Sequence, residues 1–294
     1  MSDKRTVLIT GATGQQGGAV ARALIDRGHT VRALTRNVDS DAAQALAALG
    51  AELRTGDFND PTTLVPAAEG TDSAFLVGTP FEQGIQAEID HGVAAVDAAK
   101  TAGVGHVVYS SVGSADRNTG IPHFDSKLAV EKHLAASGLN YTISAPVWFM
   151  DNVTAPWMAD SLRQGNVALA LPGDRLLAQI AVSDIGSFNA ILFEHREAVF
   201  GKRYDIASDS VTGQDLARIV GEASGRSLGF FQVPLDMMRQ QSEDMAIMFE
   251  WFDKVGYSVD TDALRRDFPE VPWVRFADWA KAFDWSFLSA TEAA

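Results

Sequence analysis

The stretch Val7–Gly18, VLITGATGQQGG, decides how this chain is read. Its apolar run, Val7, Leu8 and Ile9, predicts a buried first strand, and the run stops abruptly at a spaced set of glycines. Gly11 lets the chain turn sharply, Gly14 admits a pyrophosphate close to the backbone, and Gly17 allows the next helix to pack against the sheet. The helix beginning near Gln15 aims its free N–H groups and positive dipole end at the phosphates, so Thr13, Gln15 and Gln16 join the three glycines as cofactor contacts. A glycine triplet alone is a weak signal. Here it follows a strand, opens the Ala-rich helix AVARALIDRG and leads to a second strand, HTVRALTR, which completes the β-turn-α-β context of a dinucleotide-binding unit.

The end of the second strand bears on which dinucleotide. A chain selecting NAD places Asp or Glu about 20 residues past the fingerprint, where the carboxylate binds the adenosine ribose hydroxyls. This chain offers Thr35, Arg36 and Asn37 instead. A guanidinium suits a 2′-phosphate and a carboxylate would repel it, so NADP(H) is the expected cofactor; the alternative is that Arg36 is a solvated loop charge.

Composition narrows the function classes. The 294 residues are 46% hydrophobic and 21% charged, an ordinary globular balance, and the net charge of −14 comes with no Lys/Arg run, which argues against nucleic-acid binding. The absence of cysteine removes disulfides, thiolate catalysis and Cys-ligated zinc. MSDKRTVLIT enters the first strand without an apolar export segment, and no apolar run reaches the roughly 18 residues of a membrane span, so a cytoplasmic location with no membrane partner is expected.

Strand and helix patterns alternate along the first half. Strands are predicted at 6–10, 30–35, 51–55, 72–77, 105–111 and 140–145, with helices at 15–27, 39–49, 61–69, 83–102 and 123–137. Six strands separated by helices imply an α/β fold, a Rossmann doubly wound parallel sheet, whose strand C-termini bring Gly11, Arg36, Asp57, Gly78, Ser110 and Ser111 to one edge. Residues 1–150 are thus read as a nucleotide-binding domain and 151–294 as a smaller α+β lobe, with strand 202–207 and its neighbouring helices tying back to the sheet. In the second half, DMMRQQSEDMAIMFEWF reads as one helix with Met238, Met245, Met248, Phe249 and Phe252 on one face. That face is either core, or a flexible roof over a pocket or a partner subunit.

Candidate chemistry gathers after the fifth strand. HVVYSSVGS carries Ser110 and Ser111, and the following helix contains HFDSKLAVEKHL. Short-chain dehydrogenases hold a Tyr and a Lys four apart on such a helix, the Lys lowering the Tyr pKa and binding the nicotinamide ribose. Lys127 has that context, but His123 stands where the Tyr would be. Either His123 donates the proton, or the reduction needs little acid catalysis and Lys127 alone positions the ribose. Structural alternatives are a surface Lys127 paired with Glu131 and a His123 that merely starts the helix. A Ser111 hydroxyl bonding a substrate carbonyl fits better than an acyl nucleophile, since neither serine sits in a G-x-S-x-G elbow. His91 beside Asp90 and His195 beside Glu194 lack the spacing of a metal site, and no metal is expected. Just past the sixth strand, Trp148, Phe149, Met150 and Asn152 are expected to line the substrate side.

GATGQQGG, LTRN, PHFDSK, VSDIG at 182–186 and the Trp-rich tail together resemble the NmrA-like family of atypical short-chain dehydrogenases/reductases, and within it the branch that contains the human NmrA-like redox sensor. The resemblance spans nearly the whole chain. It implies a Rossmann domain with a small C-terminal lobe, NADP preference through Arg36, and cofactor contacts at Asp57, Phe58, Val77, Gly78, Thr79, Lys127, Pro146 and Phe149. The family includes regulators that bind the nucleotide without turnover and reductases of quinones, triphenylmethane dyes and phenylpropanoid ethers. The expected function is therefore an NADPH-dependent reductase of small hydrophobic carbonyl, quinone, enone or imine-type substrates, with an NADP(H)-sensing regulatory protein as the alternative. A homodimer stays open.

Overall fold

The computed structural model describes residues 4–288. In chain order, the first stretch contains β1 (Thr6–Ile9), α1 (Gln15–Asp26), β2 (Thr30–Thr35), α2 (Asp41–Ala48), β3 (Glu52–Thr55), α3 (Leu64–Ala68) and β4 (Ser73–Val77). It continues with α4 (Ile85–Thr101), β5 (Val107–Ser110), α5 (Pro122–Ala136) and β6 (Tyr141–Pro146). Then follow β7 (Trp148–Phe149), α6 (Pro156–Arg163), β8 (Asn166–Leu169), β9 (Leu176–Ile180), α7 (Val182–His195), β10 (Lys202–Ile206), β11 (Asp209–Thr212), α8 (Gly213–Ser224) and β12 (Gly229–Gln232). Four helices close the described chain, α9 (Leu235–Gln241), α10 (Glu243–Lys254), α11 (Thr261–Asp267) and α12 (Phe276–Ala282).

The described chain divides into two compact units, residues 4–146, 182–205 and 268–272 forming the first and 147–181, 206–267 and 273–288 the second. The first unit is built on a seven-stranded sheet ordered β10-β6-β5-β4-β1-β2-β3. Pairings among β1 to β6 are parallel. From β1 the chain adds strands in one direction through β2 and β3, then crosses to β4 and builds the other way. The switch therefore falls between β1 and β4, where ligand crevices open in doubly wound sheets. Strand 202–207 of the sequence reading is β10, at the sheet's edge beside β6.

Both sheet faces are covered, which is why the strands read as continuous apolar runs. Leu8, Leu34 and Leu76 pack with Ala67 of α3, Val96 of α4 and Val130 and Leu134 of α5 in one core. Val7, Ile9, Val31 and Phe75 alternate with them and are completely buried as well. Helix α1 lies along α7 so closely that a Cβ on Gly186 would sit 2.6 Å from the Ala19 carbonyl oxygen. Arg27 and Glu194 close the end of that helix pair with two hydrogen bonds of 2.8 and 2.6 Å, and this contact raises the Arg27 pKa and lowers that of Glu194.

The second unit has a three-stranded sheet, β11-β9-β7, and the pair β12-β8. The single helix expected over DMMRQQSEDMAIMFEWF is broken at Ser242. That residue is extended (φ −157°, ψ 114°) and its hydroxyl accepts the Met245 N–H, so it ends α9 and caps α10. A serine offers the backbone a local partner and competes with helix continuation, which overrides the apolar periodicity. Met248, Phe249 and Phe252 are buried, as on the predicted face, whereas Met237 of α9 is 49% exposed.

Candidate functional site

The glycine turn follows β1 with Gly11 in the left-handed region at φ +58°. A Cβ on Gly17 would lie 2.3 Å from the Gly11 carbonyl oxygen, so only glycine lets α1 start this close to the turn. Gly14 is the N-cap of α1; it offers no side-chain cap, and the first turn carries no acidic residue. The leading N–H groups of α1 are thus left to an anion. Gly11, Thr13, Gly14 and Gln15 are exposed. Gln16 is partly committed, because its Oε1 accepts the Ser110 hydroxyl at 2.7 Å, which joins α1 to the end of β5. Thr10 ties β1 to β4: its hydroxyl accepts the Val77 N–H at 2.8 Å and contacts the Val77 carbonyl at 3.2 Å.

Arg36 stands just past β2, 62% exposed, with its guanidinium 3.6 Å from the carboxylate of Glu82. Asp57 lies beyond β3, and its pKa is lowered first by the Asn59 backbone N–H, then by the Asn59 side chain and Arg36 against a small burial effect. Phe58 stacks on His91 with ring centroids 5.5 Å apart. Val77, Gly78 and Thr79 follow along the end of β4, the first two half-buried and Thr79 exposed.

At the start of α5, Pro122 occupies the first turn and Ile121 before it is extended, the pairing that proline imposes. Lys127, one and a half turns in, is 8% exposed. Its Nζ donates to Glu88 Oε1 at 2.7 Å and to the Gly78 carbonyl at 3.2 Å. An ammonium has three N–H groups. Two are used here, which leaves one for a ligand. Glu131, the partner under the structural alternative, is engaged elsewhere, by the Ser111 hydroxyl and by Arg203 Nε at 3.2 Å. His123 is 7% exposed, its ring 5.7 Å from Phe81 and 4.9 Å from Phe124.

Behind the edge lies a charged network that the sequence did not signal. Arg203 of β10 reaches Asp205, Glu131 and the Val112 carbonyl. Burial opposes its charge, but the three carboxylates Asp205, Glu131 and Asp116 outweigh burial and raise its pKa. Tyr109 points into this region from β5, fully buried, and burial followed by the nearby Glu88 and Glu131 pushes its pKa far up. It is a poor acid where it stands.

The first unit therefore brings Gly11, Thr13, Gly14, Gln15, Gln16, Gly17, Arg36, Asp57, Phe58, Val77, Gly78, Thr79, Ser111, His123 and Lys127 to one side of its sheet, at or next to strand C-termini. Pro146 ends β6, and its carbonyl accepts the Gly113 N–H at 2.9 Å. In the second unit, Trp148 packs edge-on against Trp157 and Phe252 and tilts against Phe249. Trp148, Phe149 and Asn152 are half-exposed, whereas Met150 is fully buried. Among the described residues no group of three or more His, Asp or Glu could hold a metal ion, and no helix is long and apolar enough to cross a membrane.

These features define a Rossmann-type α/β protein with a nucleotide-binding edge. Residues 3–284 match the NmrA-like family, and the chain belongs to it. It is 30% identical to an NmrA-like family domain-containing oxidoreductase, malD, of Malbranchea aurantiaca, over 86% of this chain and 84% of that protein. Quinone oxidoreductase 2 of Escherichia coli K12 is 31% identical over 76% of each chain. Among solved structures, triphenylmethane reductase of Citrobacter sp. in complex with NADP(H) superposes with a TM-score of 0.80 at 23% identity, covering 94% of this chain and 99% of that one. The negative transcriptional regulator NmrA in complex with NADP superposes with a TM-score of 0.79 at 22% identity and 95% coverage of both chains.

Proposed function

We propose that this chain is an NADP(H)-dependent oxidoreductase that reduces small, hydrophobic carbonyl, quinone, enone or imine-type acceptors. The observation that carries the reading is Lys127: a buried ammonium held by Glu88 and the Gly78 carbonyl, with one N–H still to give, on the sheet edge that also presents the glycine turn. The glycine turn fits a dinucleotide, since a Cβ on Gly17 would fill the space against Gly11 and the N-terminus of α1 has no acidic competitor. The backbone N–H groups of Gln15 and Gln16 would hold the pyrophosphate and Arg36 the 2′-phosphate, with Asp57, Phe58, Val77, Gly78 and Thr79 along the adenosine side and Pro146 toward the nicotinamide.

When bound, NADPH supplies a hydride, two electrons with one hydrogen, and leaves as NADP⁺. The protein's part is orientation and proton supply. Lys127 would fix the nicotinamide ribose by its remaining N–H, the Ser111 hydroxyl would bond the acceptor's polar atom, and His123 or water would deliver the proton that balances the reduction. Acceptor contacts are assigned on the sequence argument to Trp148, Phe149, Met150 and Asn152.

One observation favours the regulatory alternative. No tyrosine stands four residues before Lys127, and the nearby Tyr109 is buried with a raised pKa. Following NADPH absorbance against a panel of quinones, enones, aldehydes and imines separates the two readings. Turnover that falls about 100-fold in Lys127→Ala, with NADPH affinity within a few-fold of wild type, is the expected outcome. No turnover with any acceptor, together with a large NADPH/NADP⁺ affinity difference that changes partner or oligomeric state, would replace the enzyme with the sensor.

A further inference from the structure

Glu88 is a buried charge that the chemistry above does not use. Its side chain has no exposure, and a carboxylate in such a place is strongly disfavoured unless fully paired. Both oxygens are taken, Oε1 by Lys127 Nζ at 2.7 Å and Oε2 by the Ser126 hydroxyl. Backbone packing fixes where this carboxylate stands. Glu88 lies in the first turn of α4, anchored by its N–H to the Gly84 carbonyl at 3.2 Å. One turn further on, a Cβ at Gly92 would be 2.5 Å from Val130 Cγ2, so glycine lets α4 and α5 approach closely beside the pair. On the other side, a Cβ on Gly78 would come within 3.5 Å of Glu88 Cγ. The separation between Glu88 and Lys127 is thus set by three elements, α4, α5 and the end of β4, and not by the reach of a flexible arm.

Other ionisable groups around the pair do not duplicate this role. Glu131 and His123 share α5 with Lys127, but Glu131 is bonded to Ser111 and Arg203. Tyr109 faces both Glu88 and Glu131 from β5 and stays neutral. Glu88 is the carboxylate bonded directly to the Lys127 ammonium.

We infer that Glu88 is a positioning residue that holds the Lys127 ammonium in place and neutralises it, so that the cationic nicotinamide ring of the oxidised cofactor is accommodated as well as the neutral ring of the reduced one. The inference rests on the reading of Lys127 as the nicotinamide-ribose partner. Its chemical content is a charge count. NADP⁺ carries a positive ring that NADPH lacks, and an uncompensated ammonium in a partly desolvated site repels only the former. Glu88 therefore sets the relative affinity for the two redox forms, a property that packing alone would not confer.

The test is a double-mutant cycle on the full chain with Glu88→Gln, Lys127→Gln and the double variant, each checked for folding by thermal melting. Dissociation constants for NADPH and NADP⁺ are titrated separately, and turnover is followed with a quinone acceptor. In Glu88→Gln the NADP⁺/NADPH ratio of dissociation constants is expected to rise about five- to tenfold and kcat to fall. In the double variant, where the pair again carries no net charge, the ratio is expected to return to near wild type, and kcat should fall no further than in Lys127→Gln alone. An unchanged ratio in Glu88→Gln, or a double variant whose ratio stays as high as that of Glu88→Gln, overturns the inference. If Glu88→Gln does not fold, Glu88→Asp keeps the charge one methylene farther from Lys127; it is expected to hold the ratio within about twofold while lowering kcat, and a wild-type kcat there overturns the positioning role. A Lys127→Gln variant with unchanged kcat and unchanged affinity for both cofactor forms would instead refute the reading of Lys127 itself.

Discussion

At the glycine turn the groups offered to a ligand are backbone N–H groups, freed by residues with no side chain, and they stand exposed. At Lys127, on the same side of the same sheet, the offered group is a side chain that is buried and held by partners 39 and 49 positions away in sequence. The two regions solve opposite problems. An anion is bound where the chain removes everything but the peptide, because a helix N-terminus already supplies donors and a favourable dipole. A cation is delivered only where the chain adds a counter-charge, because burial strips an ammonium of its hydration and only a paired carboxylate offsets that cost.

The contrast is broken most severely by Gly17→Ala, which puts a methyl against the Gly11 carbonyl at a spacing of 2.3 Å. Overpacking of this kind costs about 1–3 kcal/mol and displaces the turn, so NADPH affinity measured by titration is expected to fall about 30-fold, the equivalent of about 2 kcal/mol. Unchanged affinity would mean that the turn is not the phosphate cradle. Arg36→Ala comes next. Loss of one charge-assisted phosphate contact, about 1.5–3 kcal/mol, should weaken NADPH about tenfold or more while leaving NADH nearly as in wild type. Equal losses for both nucleotides would turn Arg36 into a general surface charge.

At neutral pH a third change leaves the site untouched and acts on stability only as the solution is acidified, at the opposite end of β5. His106 is fully buried, its Nε2 2.9 Å from Thr142 Oγ1, and burial, with help from Arg196 and Arg5, lowers its pKa to about 3. Between that value and the unfolded value near 6.5, the unfolded chain binds a proton that the folded one refuses. Stability is therefore complete above about pH 6.5 and declines as pH falls toward 3, by at most about 1.4 kcal/mol per pH unit from this residue. Chemical denaturation of wild type and His106→Gln at several pH values should show a shallower acid decline in the variant. An identical slope would mean that His106 is not the group responsible.

Much of this was legible in the sequence, for reasons that differ by residue. Gly11, Gly14 and Gly17 are readable because a steric demand fixes residue type at short spacing. Arg36 and Lys127 are readable because each follows a recognisable strand or turn at a set distance. Glu88 was not, since nothing in IQAEIDHGVAAV distinguishes it from an ordinary charged position on an amphipathic helix. Only the packing of α4 on α5 turns it inward. Local spacing also offered Lys127 as a partner for Glu131, the alternative to a ligand role for Lys127, and long-range contacts with Ser111 and Arg203 take Glu131 instead. Ser242 shows a third limit, where one hydroxyl bonded to a backbone N–H interrupts a helix whose apolar pattern runs on undisturbed.

The helix that follows the glycine turn rests on α7, a segment 160 or more positions later, with Arg27 and Glu194 bonded across 167 positions. This has a consequence for synthesis. As the chain emerges, residues 1–146 contain the complete phosphate loop yet lack the helix that covers α1 and the outer strand β10, since residues 182–205 have still to be made. Closing so long a loop is slow relative to local folding, and the apolar flank of α1 stays open to water meanwhile. A fragment cut near residue 150 would carry the whole nucleotide fingerprint and still lack the wall that residues 182–205 supply to the same unit in the full chain.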